Sequence, residues 1–206
     1  GGQTNGGNSN VVWSSSDGIT WAQATANAAW SARSSLTSFV YNNKIWITGG
    51  YDGTRKNDVW SSTDGITWAQ VTASAAWPAR NHHTSLVYDN KMWITGGYDG
   101  ANTLNDVWSS SDGVTWTQST ATAAWSARLY LASVVYNNKM WVMAGNSGAN
   151  KNDVWSSTDG VTWTEATGNA PWSARTYPAS IVYDNKMWII GGNDGTLKND
   201  VWHTSN

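Results

Sequence analysis

The side chains of this chain that could do chemistry form a short and regular set. Arg33, Arg80, Arg128 and Arg175 each close a Trp-x-Ala-Arg stretch, with Trp30, Trp77, Trp125 and Trp172 three residues earlier. A guanidinium is a rigid fork of N–H donors that suits a carboxylate or sugar hydroxyls. An indole face beside it would complete a sugar platform, repeated once per unit. Two physical arguments oppose that reading. Each repeated Arg has a matching repeated Asp (Asp58, Asp106, Asp153, Asp200), always in Asn-Asp-Val-Trp, so a structural ion pair competes for the same guanidinium. An indole left exposed in every unit would also make a sticky surface, which favours burial of these tryptophans between units.

Other chemistry is sparse. His82-His83 is the internal histidine pair and His203 lies near the end. Neighbouring side chains on a strand point to opposite faces, so one metal would rarely take both. The absence of Cys excludes disulfides, thiolate metal sites and a Cys nucleophile. Glu165 is the only Glu, no carboxylate pair stands out, and there is no Ser–His–Asp order or Gly-rich phosphate loop. The expectation is a protein that is not an enzyme and holds no cofactor or metal.

The elements that would position these residues come from a repeat. Trp13, Trp60, Trp108, Trp155 and Trp202 recur at steps of 47, 48, 47 and 47, with repeats at about 13–59, 60–107, 108–154 and 155–201. A period of this length means stacked units that share a core and are unstable alone. The repeat fills the chain, so residues 1–206 read as one domain. Within a unit, Ser85–Tyr88 (a), Lys91–Thr95 (b), Asp106–Ser110 (c) and Val114–Gln118 (d) are short β-favouring runs. Asp89-Asn90 and its counterparts mark a tight a–b turn, and Asp112-Gly113 and its counterparts mark a c–d hairpin. No stretch has a 3.6-residue apolar period, so almost no helix is expected. Four-stranded antiparallel units at this period are propeller blades.

Composition narrows the partners. The chain has 206 residues and a net charge of −2, from 12 basic and 14 acidic residues. Without a basic stripe, a phosphate-tracking nucleic-acid role is not expected. No apolar run approaches 18 residues, so no membrane span is expected either. Low charge with abundant Ser, Thr, Asn and Gly leans towards a secreted or cell-surface bacterial protein. A start at Gly1 rather than Met fits a processed chain or a piece of a longer one. All 17 Trp fall on four repeat positions, which points to packing between blades.

The order of Arg, apolar strand a, tight turn, strand b ending in Gly-Gly, loop, and two strands with spaced aromatics resembles the kelch repeat over practically the whole chain. The hairpin Ser61 to Trp68 is also similar to the Asp-box of sialidase-type propellers, except that Asp64 directly precedes Gly65. Asp-boxes are structural hairpins, so this likeness concerns the fold. The kelch resemblance implies an all-β propeller. The copper oxidase of that type needs a Tyr–Cys crosslink, which this chain has no Cys to make. Kelch propellers usually have six or seven blades, whereas this chain offers four and a fraction. Joining both ends in one blade would close a four-bladed ring with one redundant strand c. The alternatives are two copies in an eight-bladed ring, or copies chained end to end.

Strands alternate in direction, so a–b and c–d turns share one face, and b–c loops and d–a linkers share the other. The first face has nearly identical turns; the second carries nearly all variation between units. Duplicates that diverge on one face suit an asymmetric partner. The expected role is a non-catalytic binding module that recognises a protein or glycan through the variable face. Arg33, Arg80, His82, His83, Arg128, Tyr130, Arg175 and Tyr177 are the expected contacts. A lectin with one pocket per blade at Trp30, Trp77, Trp125 and Trp172 is a second reading. A self-assembling or engineered scaffold that pairs through its terminal strands is a third.

Overall fold

The computed structural model describes residues 1–205 and is all-β. Two short hairpins open the chain: β1 (Gly2–Thr4) with β2 (Gly7–Ser9), then β3 (Val12–Ser14) with β4 (Ala22–Thr25). Three four-stranded antiparallel blades follow. Blade one is β5 (Thr37–Tyr41), β6 (Lys44–Thr48), β7 (Val59–Ser62) and β8 (Ala69–Thr72). Blade two is β9 (Thr84–Tyr88), β10 (Lys91–Thr95), β11 (Val107–Ser110) and β12 (Thr117–Thr120). Blade three is β13 (Ala132–Tyr136), β14 (Lys139–Met143), β15 (Val154–Ser157) and β16 (Thr164–Thr167). A three-stranded sheet begins a fourth blade: β17 (Ala179–Tyr183), β18 (Lys186–Asn193) and β19 (Leu197–His203). The strands β5, β9, β13 and β17 pack side by side in sequence as the innermost layer. This is the propeller arrangement of about four blades that the repeat predicts.

Local chemistry explains the turns. Both residues of each a–b turn, such as Asn42-Asn43 and Asp89-Asn90, lie at φ between 47° and 55°. That double left-handed turn matches the twist of a two-residue hairpin, and Asn and Asp tolerate it. The c–d connection is wider than the expected tight hairpin. Strand d starts at Thr117 rather than Val114, because Asp112 folds residues 111–116 into a loop of its own. Its Oδ1 accepts the N–H groups of Val114 and Thr115, and the Ser110 hydroxyl accepts that of Gly113. The Trp116 indole donates back to the Gly113 carbonyl. A bulge at Val107/Trp108 then sets the register between c and d, and it recurs in every unit that has both strands.

The cores lie between blades rather than within them. One joins Tyr41, Trp46 and Val59 of blade one to Trp77, Met92, Ile94 and Trp116. The next joins Tyr88, Trp93 and Val107 of blade two to Trp125, Met140, Val142 and Trp163. The inner Tyr hydroxyls donate across each junction to the next a–b turn: Tyr41 to the Asn90 carbonyl, Tyr88 to Asn138 and Tyr136 to Asn185. No single blade could bury these faces alone, which is why the repeat must stack.

The ends depart from the expected closure. β3–β4 and β17–β19 are separate sheets with no ladder between them. Each end keeps its own strand c. β19 carries Asp200, which pairs with the buried Arg175. Just before β3 the corresponding position is Val11, which could not replace that carboxylate. β3–β4 instead rests on blade one, with Val12 against the Trp30 cluster and Asn10 Nδ2 donating to the Ala28 and Trp30 carbonyls. No helix of the described residues is long and apolar enough to cross a membrane.

Candidate functional site

The variable loops do gather on one face. The start of each blade pairs with its b–c loop through isolated bridges: Ser34 with Tyr51, Asn81 with Tyr98, Leu129 with Asn146 and Thr176 with Asn193. The b–c loops of blades one to three also bind the next linker, as Gly50 N–H does to the Arg80 carbonyl and Arg80 N–H to the Lys56 carbonyl. Loops and linkers thus form one continuous rim.

The four arginines are in this rim but do not face solvent. Arg33, Arg80, Arg128 and Arg175 are at most 1% exposed. Each guanidinium forms a two-pronged pair with the Asp before strand c of its own blade. The second prong measures 2.8 Å for Asp58, 2.7 Å for Asp106, 2.7 Å for Asp153 and 2.8 Å for Asp200. A third bond reaches the carbonyl that ends strand b, such as Gly96 for Arg80. At Arg33, Arg128 and Arg175 the Ser two residues earlier accepts the remaining N–H groups through its carbonyl and hydroxyl, so all five donors are used. At Arg80, where Pro78 replaces that Ser, the group is wholly buried and no ligand can reach it. The expected ligand-binding ring of Arg33, Arg80, Arg128 and Arg175 is therefore corrected to a structural lock. The lock also differs from a blade-to-blade ion pair: the charges join linker to strand c within a blade, and backbone bonds join the blades. The indole of the following Trp donates to the same carboxylate, as Trp60 does to Asp58. At the last pair the Arg175 guanidinium and the Trp202 indole hold the Asp200 carboxyl well below the usual range.

The linker tryptophans are corrected in the same way. Trp30, Trp77, Trp125 and Trp172 are all buried, and the first three offer no face to a sugar, while Trp172 borders a cavity at the open C-terminal end. Trp30, Trp77 and Trp125 meet Trp68, Trp116 and Trp163 edge-to-face at 6.0, 5.9 and 6.0 Å. These T-shaped pairs are the wedges that fix one blade against the next.

The histidine pair splits. His83 is buried, and its Nε2 lies 3.1 Å from the Thr37 hydroxyl and 3.2 Å from that of Thr48, so it bridges blades one and two. Burial, then the charges of Arg80 and His82, push it down to about 3. His83 is thus corrected from a surface contact to a junction residue. Among the described residues, no group of three or more His, Cys, Asp or Glu could hold a metal.

What stays accessible is an aromatic cluster around the axis. Ser35, His82, Tyr130 and Tyr177 occupy one repeat position, and all have left-handed backbones, with φ of 55°, 57°, 61° and 53°. They form a ladder: His82 N–H donates to the Ser35 carbonyl, Tyr130 to His82 and Tyr177 to Tyr130, at 3.2, 3.1 and 3.1 Å. The rings follow the backbone. His82 stands edge-on to Tyr130 at 4.3 Å, and Tyr130 stacks on Tyr177 at 4.0 Å. With Leu36, His83, Leu131 and Pro178 they line an open cavity of about 250 Å³. Burial, with the Arg55 charge behind it, lowers His82 to about 4, so its ring is neutral at neutral pH. Tyr177 is 57% exposed at the rim of the cluster. Burial and the Tyr130 hydroxyl push its phenol up.

Two neighbours escaped the sequence reading. Arg55 stacks over Tyr98 at 4.5 Å and lies 5.6 Å from the Tyr51 ring, which ties the b–c loops of blades one and two together. The available signal was that Arg55 is the only Arg in any of the four b–c loops.

The comparisons agree with this architecture. The family model described as the KLHDC2/KLHL20/DRC7 Kelch-repeats domain matches residues 1–165. No curated protein matches the chain. With the match spanning 165 of 206 residues and the blades built as described, the chain belongs to the kelch-repeat propeller family.

Proposed function

We propose that this propeller is a non-catalytic binding module that engages a protein partner through the loop face around its axis. Kelch propellers are typically non-catalytic and serve as protein-binding scaffolds. The observation that carries the reading is the ladder of His82, Tyr130 and Tyr177. A left-handed backbone costs a non-glycine residue about 1–2 kcal/mol. The repeat could have used Gly there, as it does twice at the end of strand b in most blades. Large aromatics are held in that conformation instead, and they stack where the duplicates diverge most. Tyr and Arg are also the side chains that anchor protein interfaces. Tyr177, Tyr130, His82 and the Arg55–Tyr98 pair are the contacts we assign, with the rings as anchors and the neutral His82 as a hydrogen-bonding edge.

The test is a paired capture. The wild-type chain and a Tyr130→Ala/Tyr177→Ala variant are offered the same extract, and bound proteins are quantified and crosslinked. Partners enriched on the wild type, lost at least about tenfold from the variant and crosslinked near the axis fit the assignment. Equal capture by both chains would place the interface elsewhere.

A further inference from the structure

The two ends of the molecule carry complementary halves of one blade junction. At the C-terminal end, Trp172 has no edge-to-face indole partner among the described residues, unlike Trp30, Trp77 and Trp125. In its place a cavity of about 420 Å³ opens, lined by Trp141, Trp172, Met187, Ile189 and Trp202. Trp141 belongs to the series of Trp46 and Trp93. Those two rings close on Gly113 and Gly160, where an added Cβ would come within 2.4 and 2.2 Å of them. The outer edge of β19 is also unpaired, although β8, β12 and β16 cover β7, β11 and β15 in the complete blades.

At the N-terminal end the missing parts are present without a place to go. Asp17-Gly18-Ile19-Thr20-Trp21 repeats Asp64-Gly65-Ile66-Thr67-Trp68 residue for residue. Trp68 is 8% exposed and Trp21 is 57% exposed. A Cβ on Gly18 would meet nothing within 4 Å. One end is therefore a socket lacking its indole, and the other an indole lacking its socket.

We propose that the Asp17–Thr25 segment of a second copy fills this socket, its β4 adding to the free edge of β19 and its Trp21 seating against Trp172. The segment exchanged carries β4 without β3, since β19 must stay to supply Asp200 to the buried Arg175. The exchange conserves the ladder. β4 pairs Thr25 and Gln23 with Val12 and Trp13 of β3, and β19 offers Val201 and Trp202 in the same register. What it adds is burial of Trp21 and of the cavity walls. The occupant is a second copy because this chain does not return on itself. Inner-strand packing runs from β5 to β17, and the axial ladder stops with no bond between Tyr177 and Ser35. Such a head-to-tail contact closes into a ring if the rotation allows, and two copies would share one ring.

Two measurements test this. Light scattering on the wild-type chain across concentration should give a multiple of the 22.3 kDa monomer. Trp21→Ala should weaken association by at least about tenfold. A wild type that stays monomeric at high concentration, or an assembly indifferent to Trp21→Ala, overturns the proposal. The chain has no native Cys, so a Thr25→Cys/Val201→Cys variant reports the register directly. The equivalent pairs face each other in every complete blade, as Val107 and Thr120 do. Oxidation should give covalent dimers. A disulfide formed within one chain, or none at all, counts against a second copy.

Discussion

The junction between blades two and three and the outer edge of the C-terminal sheet are made from the same repeated residues, yet they meet opposite fates. In the first, Val107 is 1% exposed and Trp125 is sealed beneath Trp163. In the second, Val201 is 55% exposed and Trp172 borders a cavity. The inner tyrosines show the same contrast: Tyr88 donates across to Asn138, while Tyr183 is 70% exposed. Identical side chains are core or surface according to whether a next blade exists. The stabilising unit of this protein is therefore the interface between repeats rather than the repeat.

Four sets of measurements would break or sharpen that contrast, and the largest effect concerns charge. Asp106→Ala leaves Arg80 buried without its counter-ion and should cost about 3–5 kcal/mol. Asp200→Ala, at the open end, should lower the urea midpoint clearly less, because water can reach the Arg175 site from the side that β19 leaves uncovered. Equal losses at both positions would mean that burial does not set the value of the pair.

Glycine comes next. Gly18 and Gly113 sit in the same turn with φ of 74° and 77°. Only at Gly113 would a Cβ strike a neighbour, Trp46 at 2.4 Å. Gly113→Ala should cost about 2–4 kcal/mol from overpacking plus backbone strain, and Gly18→Ala about 1 kcal/mol from the backbone alone. Thermal unfolding of the two variants separates the contributions.

The third is a dependence on pH. His83 is held near 3 in the fold, below its ordinary 6.5. The unfolded chain binds the proton first, so stability falls as pH drops below about 6.5 and keeps falling towards the folded value. Carboxylates such as Asp64, held at about 2 by the Thr67 and Ile66 N–H groups, add their own loss only below about pH 4. At pH 4.5 the His83 effect amounts to about 3 kcal/mol. His82, lowered to about 4, adds a loss of the same sign over this window, so His83→Leu, the residue that the repeat places at Leu131, should remove roughly half of the dependence between about pH 6.5 and 4.5. An unchanged profile would assign the dependence elsewhere.

The smallest effect is at the N-terminal hairpin. Trp68→Ala should cost about 3–5 kcal/mol, whereas Trp21→Ala should change the stability of the isolated monomer by no more than about 0.5 kcal/mol. A large loss at Trp21 would show that its ring is already buried.

Much of the candidate site was readable in the sequence, and the errors share one cause. His82, Tyr130 and Tyr177 stood out because they differ between otherwise uniform repeats, and their rings are among the groups that line the axial cavity. The four arginines, the linker tryptophans and His83 looked equally suited to binding. Residue type says what a group can bond to, but not whether the protein has already taken those bonds. Arg55 was passed over because its partner Tyr98 belongs to another blade, and no spacing within one unit connects them.

The sequence by itself determined the blade. The period, the Asn and Asp turn residues and the alternation of short strands are local or nearly local, and they fix four antiparallel strands and their order. It also determined which face would vary. Tertiary structure decided the rest: which repeated groups spend their bonds internally, how wide the c–d loop becomes, and how the ends behave. The count of strands allowed one shared closing blade, but a buried arginine holds β19 in place through Asp200. Val11 gives β3 no carboxylate with which to replace it. The reason is physical: a hydrogen-bond ladder is satisfied by any backbone of the right length, whereas a buried charge accepts only one kind of partner.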